Sequence, residues 1–369
     1  MDRRIILAGG GHAHLSVLED WARHPLPGTE RWLVTSAHHT AYSGMFPGWL
    51  AGFYNAKDLF IDLRPLAERA GARLLIADVI GLDADAGRIE LSTGQWLDYD
   101  LLSLATGGEA DVSSLAALGD RLISAKPVSA FIDRWKEFLD NEITGSALNV
   151  AVVGGGAAGV ELALAIAVSL RRATLHPQVF LITPEDGFLA GHAKQVRDLA
   201  LACLKRRGVM VRFATAVGTE TGLLLSDGSQ LACHRVIAAT GSRAPRWLMR
   251  TALACSPDGF VAIGPQLQSI SHANVLAAGD IVERVDRKVA RSGVHAVKAG
   301  PVLAANLRAA LTDQPMRTYR PRRRTLYLLS TADHSAILSW GPLVTSGHWV
   351  WRLKDWIDRH FIERFRSPC

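Results

Sequence analysis

The chain is poor in cysteine. It has four in 369 residues, Cys203, Cys233, Cys255 and Cys369, and none falls in a C-x-x-C or at a zinc-ligand spacing. A disulfide-stapled scaffold and a thiolate metal site are therefore set aside, and free thiols are expected. A leader segment is missing as well: an apolar run from Arg4 to Ala8 starts almost at Met1, leaving no space for a signal or transit peptide and predicting a cytoplasmic protein. No low-complexity tract or short repeat occurs, and neither charge dominates. Lys and Arg number 41 against 35 Asp and Glu, a net +6 that suits an anionic cofactor, a membrane surface or nucleic acid alike. One long apolar run exists, Ala147 to Leu170, in which only Asn149, Glu161 and Ser169 are polar. As a membrane span it would carry three consecutive glycines, each costing about 1 kcal/mol relative to alanine, and would hold Glu161 deep in lipid. That reading is set aside too.

What the run contains is a β-branched strand, a glycine cluster and a helix-compatible pattern, NVAVVGGGAAGVELALAIAVSL. Gly154, Gly156 and Gly159 hold the G-x-G-x-x-G spacing. The first permits a tight turn, the second lets backbone approach a pyrophosphate, and the third lets helix pack on strand. The N-terminus repeats the pattern in RRIILAGGGHAHLSVLEDW, where Gly9 and Gly11 keep the spacing and His14 replaces the third glycine. That helix is expected to stand slightly further from its strand. Two nucleotide sites are implied. Each fingerprint is followed, a comparable distance on, by an apolar strand ending in Ala-Thr-Gly: Ala105-Thr106-Gly107 and Ala239-Thr240-Gly241. Two copies of one dinucleotide-binding module explain all four motifs, with Thr106, Gly107 and Gly241 bordering the cofactors.

The acid that usually holds the adenosine ribose at the end of a second strand is replaced by Ser36 in the first copy and by Thr183 in the second. No arginine beside Thr183 welcomes a 2′-phosphate and no acid on the strand end repels one, so the pattern leans to NADH without excluding NADPH. The loop YSGMFPGWLAG, 42 to 52, fits either the lining of a flat ring or an ordinary packed loop. A helix from Lys126 to Leu139 leads into the second module. The first module resumes afterwards, with a strand from Asn274 to Gly279-Asp280 and a helix from about Ser292 to Ala310. Asp280 reads as a holder of sugar-like hydroxyls or as a turn residue. Five arginines in RTYRPRRR, 317 to 324, lead into a hairpin, so a solvated strand edge accounts for them better than nucleic acid. The tail, Trp349 to Phe365, is an amphipathic helix with apolar residues at 350, 353, 357, 361 and 365.

Over essentially its whole length the sequence resembles the pyridine nucleotide-disulfide oxidoreductase superfamily, near its type II NADH dehydrogenase branch. GGGHAHL, YSGMFPGWLAG, DLRPLAERAGAR and KAGPVLAANL further resemble a subgroup associated with selenide, water dikinase. The resemblance implies an α/β fold with two Rossmann-like domains. An FAD domain, 1–115 and 266–315, is split around an NAD(P)H domain, 116–265, and a small α+β domain, 316–369, covers the flavin. It implies FAD pyrophosphate at Gly9, Gly11 and the helix start carrying His14, ribose at Ser36, adenine at the Val79 backbone and the ribityl chain at Asp280. NAD(P)H would sit at Gly154, Gly156 and Gly159.

Glu161 would approach the nicotinamide, or serve as an acid favoured by the helix dipole. Lys126 and Lys298 become candidates for the flavin pocket, because a cation there favours reduced flavin. In the branch a glutamine-bearing helix meets the quinone; here Val294 and Lys298 occupy those positions. The family's flavin-facing cysteine pair is absent, so electrons are expected to pass directly to a small acceptor, a quinone foremost. A redox sensor or selenium-metabolism partner is the alternative. The tail helix carries five basic against three acidic residues, +2 from Trp349 to Arg366, which suits a peripheral contact at the inner membrane face. Packing on the FAD domain or on a second subunit of a homodimer fits the same stripe.

Overall fold

The computed structural model describes residues 2–141, 147–173, 175–322 and 324–366. Its α-helices are α1 (His12–Arg23), α2 (Phe46–Leu50), α3 (Leu63–Arg69), α4 (Val128–Asn141), α5 (Ala157–Arg172), α6 (Lys194–Arg206), α7 (Gly293–Leu311) and α8 (His348–Arg366). Two five-stranded parallel sheets organise them. The first runs in the order 275–277, 101–104, 3–8, 29–35, 72–76, and the second 122–124, 235–238, 147–153, 176–183, 209–213. In each, the strand before a glycine turn is central, with its neighbours reached by connections on opposite sides. Ligand crevices form at such switch points, beyond the carboxyl ends of the strands.

The central strands read as near-continuous apolar runs because both faces are covered, in the second sheet by α5 on one side and by the antiparallel strands between 216 and 232 with Leu115 and Leu118 on the other. Ile5, Ile6, Leu7 and Ala8 are fully buried, as are Val150, Ala151 and Val152. Close helix packing explains a glycine in α7: a Cβ at Gly300 would lie 2.7 Å from Ser16 Oγ on α1. Helix α4 buries Phe131, Ile132, Trp135 and Phe138. Each such ring contributes about 2–3 kcal/mol over its exposed state. Phe46 of the 42–52 segment meets Phe131 of α4 edge-on at 4.8 Å and α2 packs against α5, so most of that segment is an ordinary packed loop. Tyr42 alone turns the other way, as described below.

The carboxyl-terminal part is an antiparallel meander, Tyr327–Ser330, Ala336–Trp340 and Leu343–Gly347, followed by α8. The expected stripe on α8 is corrected. Its buried line is Val350, Lys354, Asp358, Ile362 and Phe365, while Leu353, Ile357 and Phe361 lie half-buried along its flank. The rotation follows from a Lys354–Asp358 ion pair turned inward and from anchors on the body: Tyr54 donates to Asp355 Oδ1 at 2.6 Å, and Arg364 Nε to the buried Glu19 at 2.9 Å. Helix α8 is thus part of the fold rather than an appended tail. No helix among the described residues is long and apolar enough to cross a membrane.

Candidate functional site

Both glycine turns solve the same steric problem in the same way. Gly9 has φ +100°, and a Cβ there would lie 2.5 Å from the Ala105 carbonyl oxygen; Gly154 has φ +124° and would lie 2.2 Å from that of Ala239. Each turn therefore presses against the Ala-Thr-Gly end of its partner strand, and only glycine tolerates the left-handed backbone and the contact together. At Gly11 a Cβ would meet Ala105 O at 2.4 Å, and at Gly159 it would meet Gly154 O at 1.8 Å. At Gly156, by contrast, nothing lies within 4 Å. That open face is where a phosphate can approach the backbone.

Helices α1, α5 and α7 begin at Gly11, Gly156 and Ser292, and none of the three receives a side-chain cap. Their first-turn N–H groups and positive dipole ends are left for an anion. Thr106 Oγ1 and Ser292 Oγ are buried without partners at two of these places. Gly107, at φ +79°, and Gly241 border open space. Beside α7, Gly279 has φ +86° and Asp280 accepts from Lys126 Nζ at 2.6 Å, with Ser242 Oγ 3.0 Å from the same ammonium. Uncapped helix starts, open glycines and orphaned hydroxyls fit two dinucleotides of the FAD and NAD(P)H kind.

Strand register corrects one ribose position. Ala8 pairs with Val34 and Val153 with Ile182, so Thr183 matches Thr35 and it is Pro184 that matches Ser36. Thr183 is buried under the turn, 2.2 Å from a Cβ placed on Gly155, and donates to the Pro184 carbonyl at 3.0 Å. Ser36, Glu185 and Asp186 are exposed, whereas Val79 is buried. His14 does not face the cofactor side: its ring nitrogens lie 2.6 Å from Gly9 O and 2.8 Å from Ser103 Oγ, in the core between α1 and the sheet. Burial drops its pKa to about 4, the Gly9 carbonyl pulling the other way.

The three proposed catalytic residues do not form one cluster. Lys126 bridges Asp280 and Ser242, and Lys298, half-buried on α7 four residues after Val294, is held below the usual lysine range by burial and by Arg322. Glu161, on the second turn of α5, accepts the Ser330 N–H at 2.7 Å. Burial pushes its pKa up to about 7, against the pull of Lys354 and the Ser330 N–H and with a further push from Asp358.

Around Glu161 the fold assembles groups that sequence reasoning missed. Lys354 Nζ donates to Asp358 Oδ2 and to the Gly44 carbonyl, both at 2.6 Å, and Tyr42 donates to Asp358 Oδ1 at 3.1 Å. Burial pulls the Lys354 pKa down, but Asp358 and Glu161 outweigh it and leave the ammonium firmly charged. Tyr42 also stacks on Phe361 with centroids 4.5 Å apart. Lys354 is therefore unavailable to headgroups, in contrast to the expectation for the tail. The missed signal was a lysine and an aspartate four apart beside the apolar stripe.

Cys203 and Cys233 are buried in other parts of the fold and Cys255 is half-buried, none of them at either turn; Cys369 lies outside the described residues. Among the described residues no His, Cys, Asp or Glu group is arranged to hold a metal.

A profile of the pyridine nucleotide-disulphide oxidoreductase family matches residues 3–300. The chain is 25% identical over 370 residues to ferroptosis suppressor protein 1 of Taeniopygia guttata, covering 95% of this chain and 90% of that one. It is 25% identical over 303 residues to demethylphylloquinone reductase NdbB of Synechocystis, covering 78% and 73%. The sulfide:quinone oxidoreductase of Aquifex aeolicus shares the fold, with a TM-score of 0.82 at 15% identity over 99% of this chain and 91% of that one.

Proposed function

The chain belongs to the pyridine nucleotide-disulphide oxidoreductase family, as an FAD-dependent enzyme that draws electrons from NAD(P)H, and we propose that it passes them to a quinone. Gly9, Gly11 and the start of α1 would hold the FAD pyrophosphate. Gly154, Gly156 and the start of α5 would hold that of NAD(P)H. Bound FAD supplies the two-electron relay between nicotinamide and acceptor. The uncapped, positive end of α7 would stabilise negative charge gained by a flavin bound there. At the adenosine end of NAD(P)H the Pro184 side chain offers the ribose no hydrogen bond, and Glu185 and Asp186 beyond it disfavour a 2′-phosphate, which supports NADH over NADPH.

The observation that carries the quinone reading is Glu161, a carboxyl held near neutral pKa beside the Lys354 ammonium. Reducing a quinone requires protons as well as electrons, and a carboxyl with a pKa of about 7 is both protonated and willing to donate at physiological pH. Lys354 stabilises the carboxylate left behind, Asp358 and Gly44 hold Lys354 in place, and the cysteines among the described residues are all free, which leaves no disulfide there to intervene. A membrane-soluble quinone implies a peripheral membrane contact. The outward face of α8, with Trp349 and Trp356 more than half exposed and Arg352 between them, supplies one. NADH-driven reduction of a short-chain ubiquinone or menaquinone analogue by the FAD-loaded protein tests the proposal. Turnover of NADH with oxygen or ferricyanide alone, and none with either quinone, would replace the quinone with another acceptor.

A further inference from the structure

The first glycine turn is followed by two histidines that part ways in the fold. His14 has both ring nitrogens satisfied in the core. His12, the first residue of α1, does not: its Nε2 is buried and has no partner. The ring lies edge-on to Tyr42 at 5.6 Å and to Phe361 at 5.9 Å, and a Cβ on Gly293 would sit 3.9 Å from its Nδ1. His12 therefore stands where the uncapped starts of α1 and α7 meet, between the phosphate-facing and ring-facing ends of the cofactor crevice.

We propose that His12 is the base that accompanies reduction of the bound flavin, its Nε2 taking one proton from solvent as the electron pair arrives and giving it up as the pair leaves. The proposal rests on the FAD assignment above. Hydride from NAD(P)H brings two electrons and one proton and adds one negative charge to the crevice. The proton on Nε2 cancels that charge. A quinone needs two electrons and two protons: the returned hydride carries both electrons and one proton, Glu161 delivers the other, and the imidazolium proton goes back to solvent as the negative charge leaves the crevice.

The surroundings suit a base that is neutral at rest. Burial holds the His12 pKa below its ordinary value; the Ala41 carbonyl and the Asp280 carboxylate favour protonation, and the Lys126 ammonium opposes it. Asp280 and Lys126 are paired with each other at 2.6 Å, so their effects on the ring partly cancel. Three further groups placed against the ring carry no charge: Tyr42, whose phenol is pushed above its ordinary range by burial and by Asp358, Phe361 of α8 and Gly293 of α7. The positive ends of α1 and α7 also disfavour imidazolium before reduction. A negative charge about 5 Å away, at an effective dielectric near 20, raises a base's proton affinity on the order of a hundredfold.

The test is proton stoichiometry on anaerobic, light-driven two-electron reduction of the FAD-loaded full chain at pH 7, read with an indicator dye. Wild type should take up two protons per flavin, and His12→Phe and His12→Gln one. Should His12→Phe hold flavin poorly, His12→Gln, which keeps a polar group in the crevice, decides the matter. Equal uptake by wild type and His12→Gln, both with FAD bound, overturns the proposal. A wild-type chain that binds no FAD overturns the cofactor assignment and this inference with it.

Discussion

Glu161 owes its role to burial, and burial gives it a pH signature of definite sign. Its folded pKa, about 7, stands above the ordinary 4.5. It can donate a proton at pH 6 and not at pH 8, so quinone reduction should fall as pH rises through about 7. Glu161→Gln should flatten that limb and lower kcat about 10- to 100-fold. Because the folded pKa is raised, the favourable contribution is complete below the unfolded value and is lost as pH rises through the folded one. Glu161→Gln should therefore melt higher than wild type at pH 8 and match it near pH 4. An unchanged pH–rate profile, with stability shifted as described, would leave Glu161 a structural residue. The sequence placed Glu161 at the second fingerprint but left two roles open for it, since its partners Ser330 and Lys354 lie far along the chain. The roles of His12 and Tyr42 were illegible for the same reason: each lies within a motif, yet its surroundings are made by α7 and α8.

Elements governed by local sequence were read well. Both glycine turns, the twin Ala-Thr-Gly strand ends and the helix at α4 stand where spacing and apolar period put them. Rotation of α8 was not, because hydrophobicity alone favours 353 and 357 over 354 and 358. An inward Lys–Asp pair becomes acceptable only once the Gly44 carbonyl and the Tyr42 hydroxyl are there to bond it. The one-residue slip between Ser36 and Thr183 has a similar origin: strand ends read from sequence drift by a residue, and only the register fixes them. Since α8 closes the core with one face, truncating it is no clean test of membrane contact. Its outward tryptophans are better targets. Trp349→Ala with Trp356→Ala should cut co-flotation with anionic vesicles several-fold, the scale expected when two interfacial rings are removed. Melting should change little, as both rings are more than half exposed. Undiminished flotation of the double variant would remove α8 from the membrane account.

At the scale of the whole molecule, two copies of one sheet-and-turn unit are closed over by α8, which sets Lys354 and Asp358 against Gly44 and Tyr42 near the first turn and beside Glu161 at the second. The duplication was legible because each copy repeats the same steric constraint in its residues. The closure was not, since it brings the first fifty residues against the last twenty. The central claim is that one crevice holds a flavin and the other feeds it. It is tested most directly by following the absorbance of the bound flavin when NADH is added without oxygen, in wild type and in Gly156→Val. The second variant fills the open face where nothing lies within 4 Å, so the fold tolerates it while the phosphate path is blocked. The account predicts a yellow wild-type protein bleached by NADH within a turnover, and a Gly156→Val protein equally yellow that resists bleaching at the same NADH concentration. A colourless wild type that takes up no added FAD, or a flavin that NADH leaves oxidised, would contradict it.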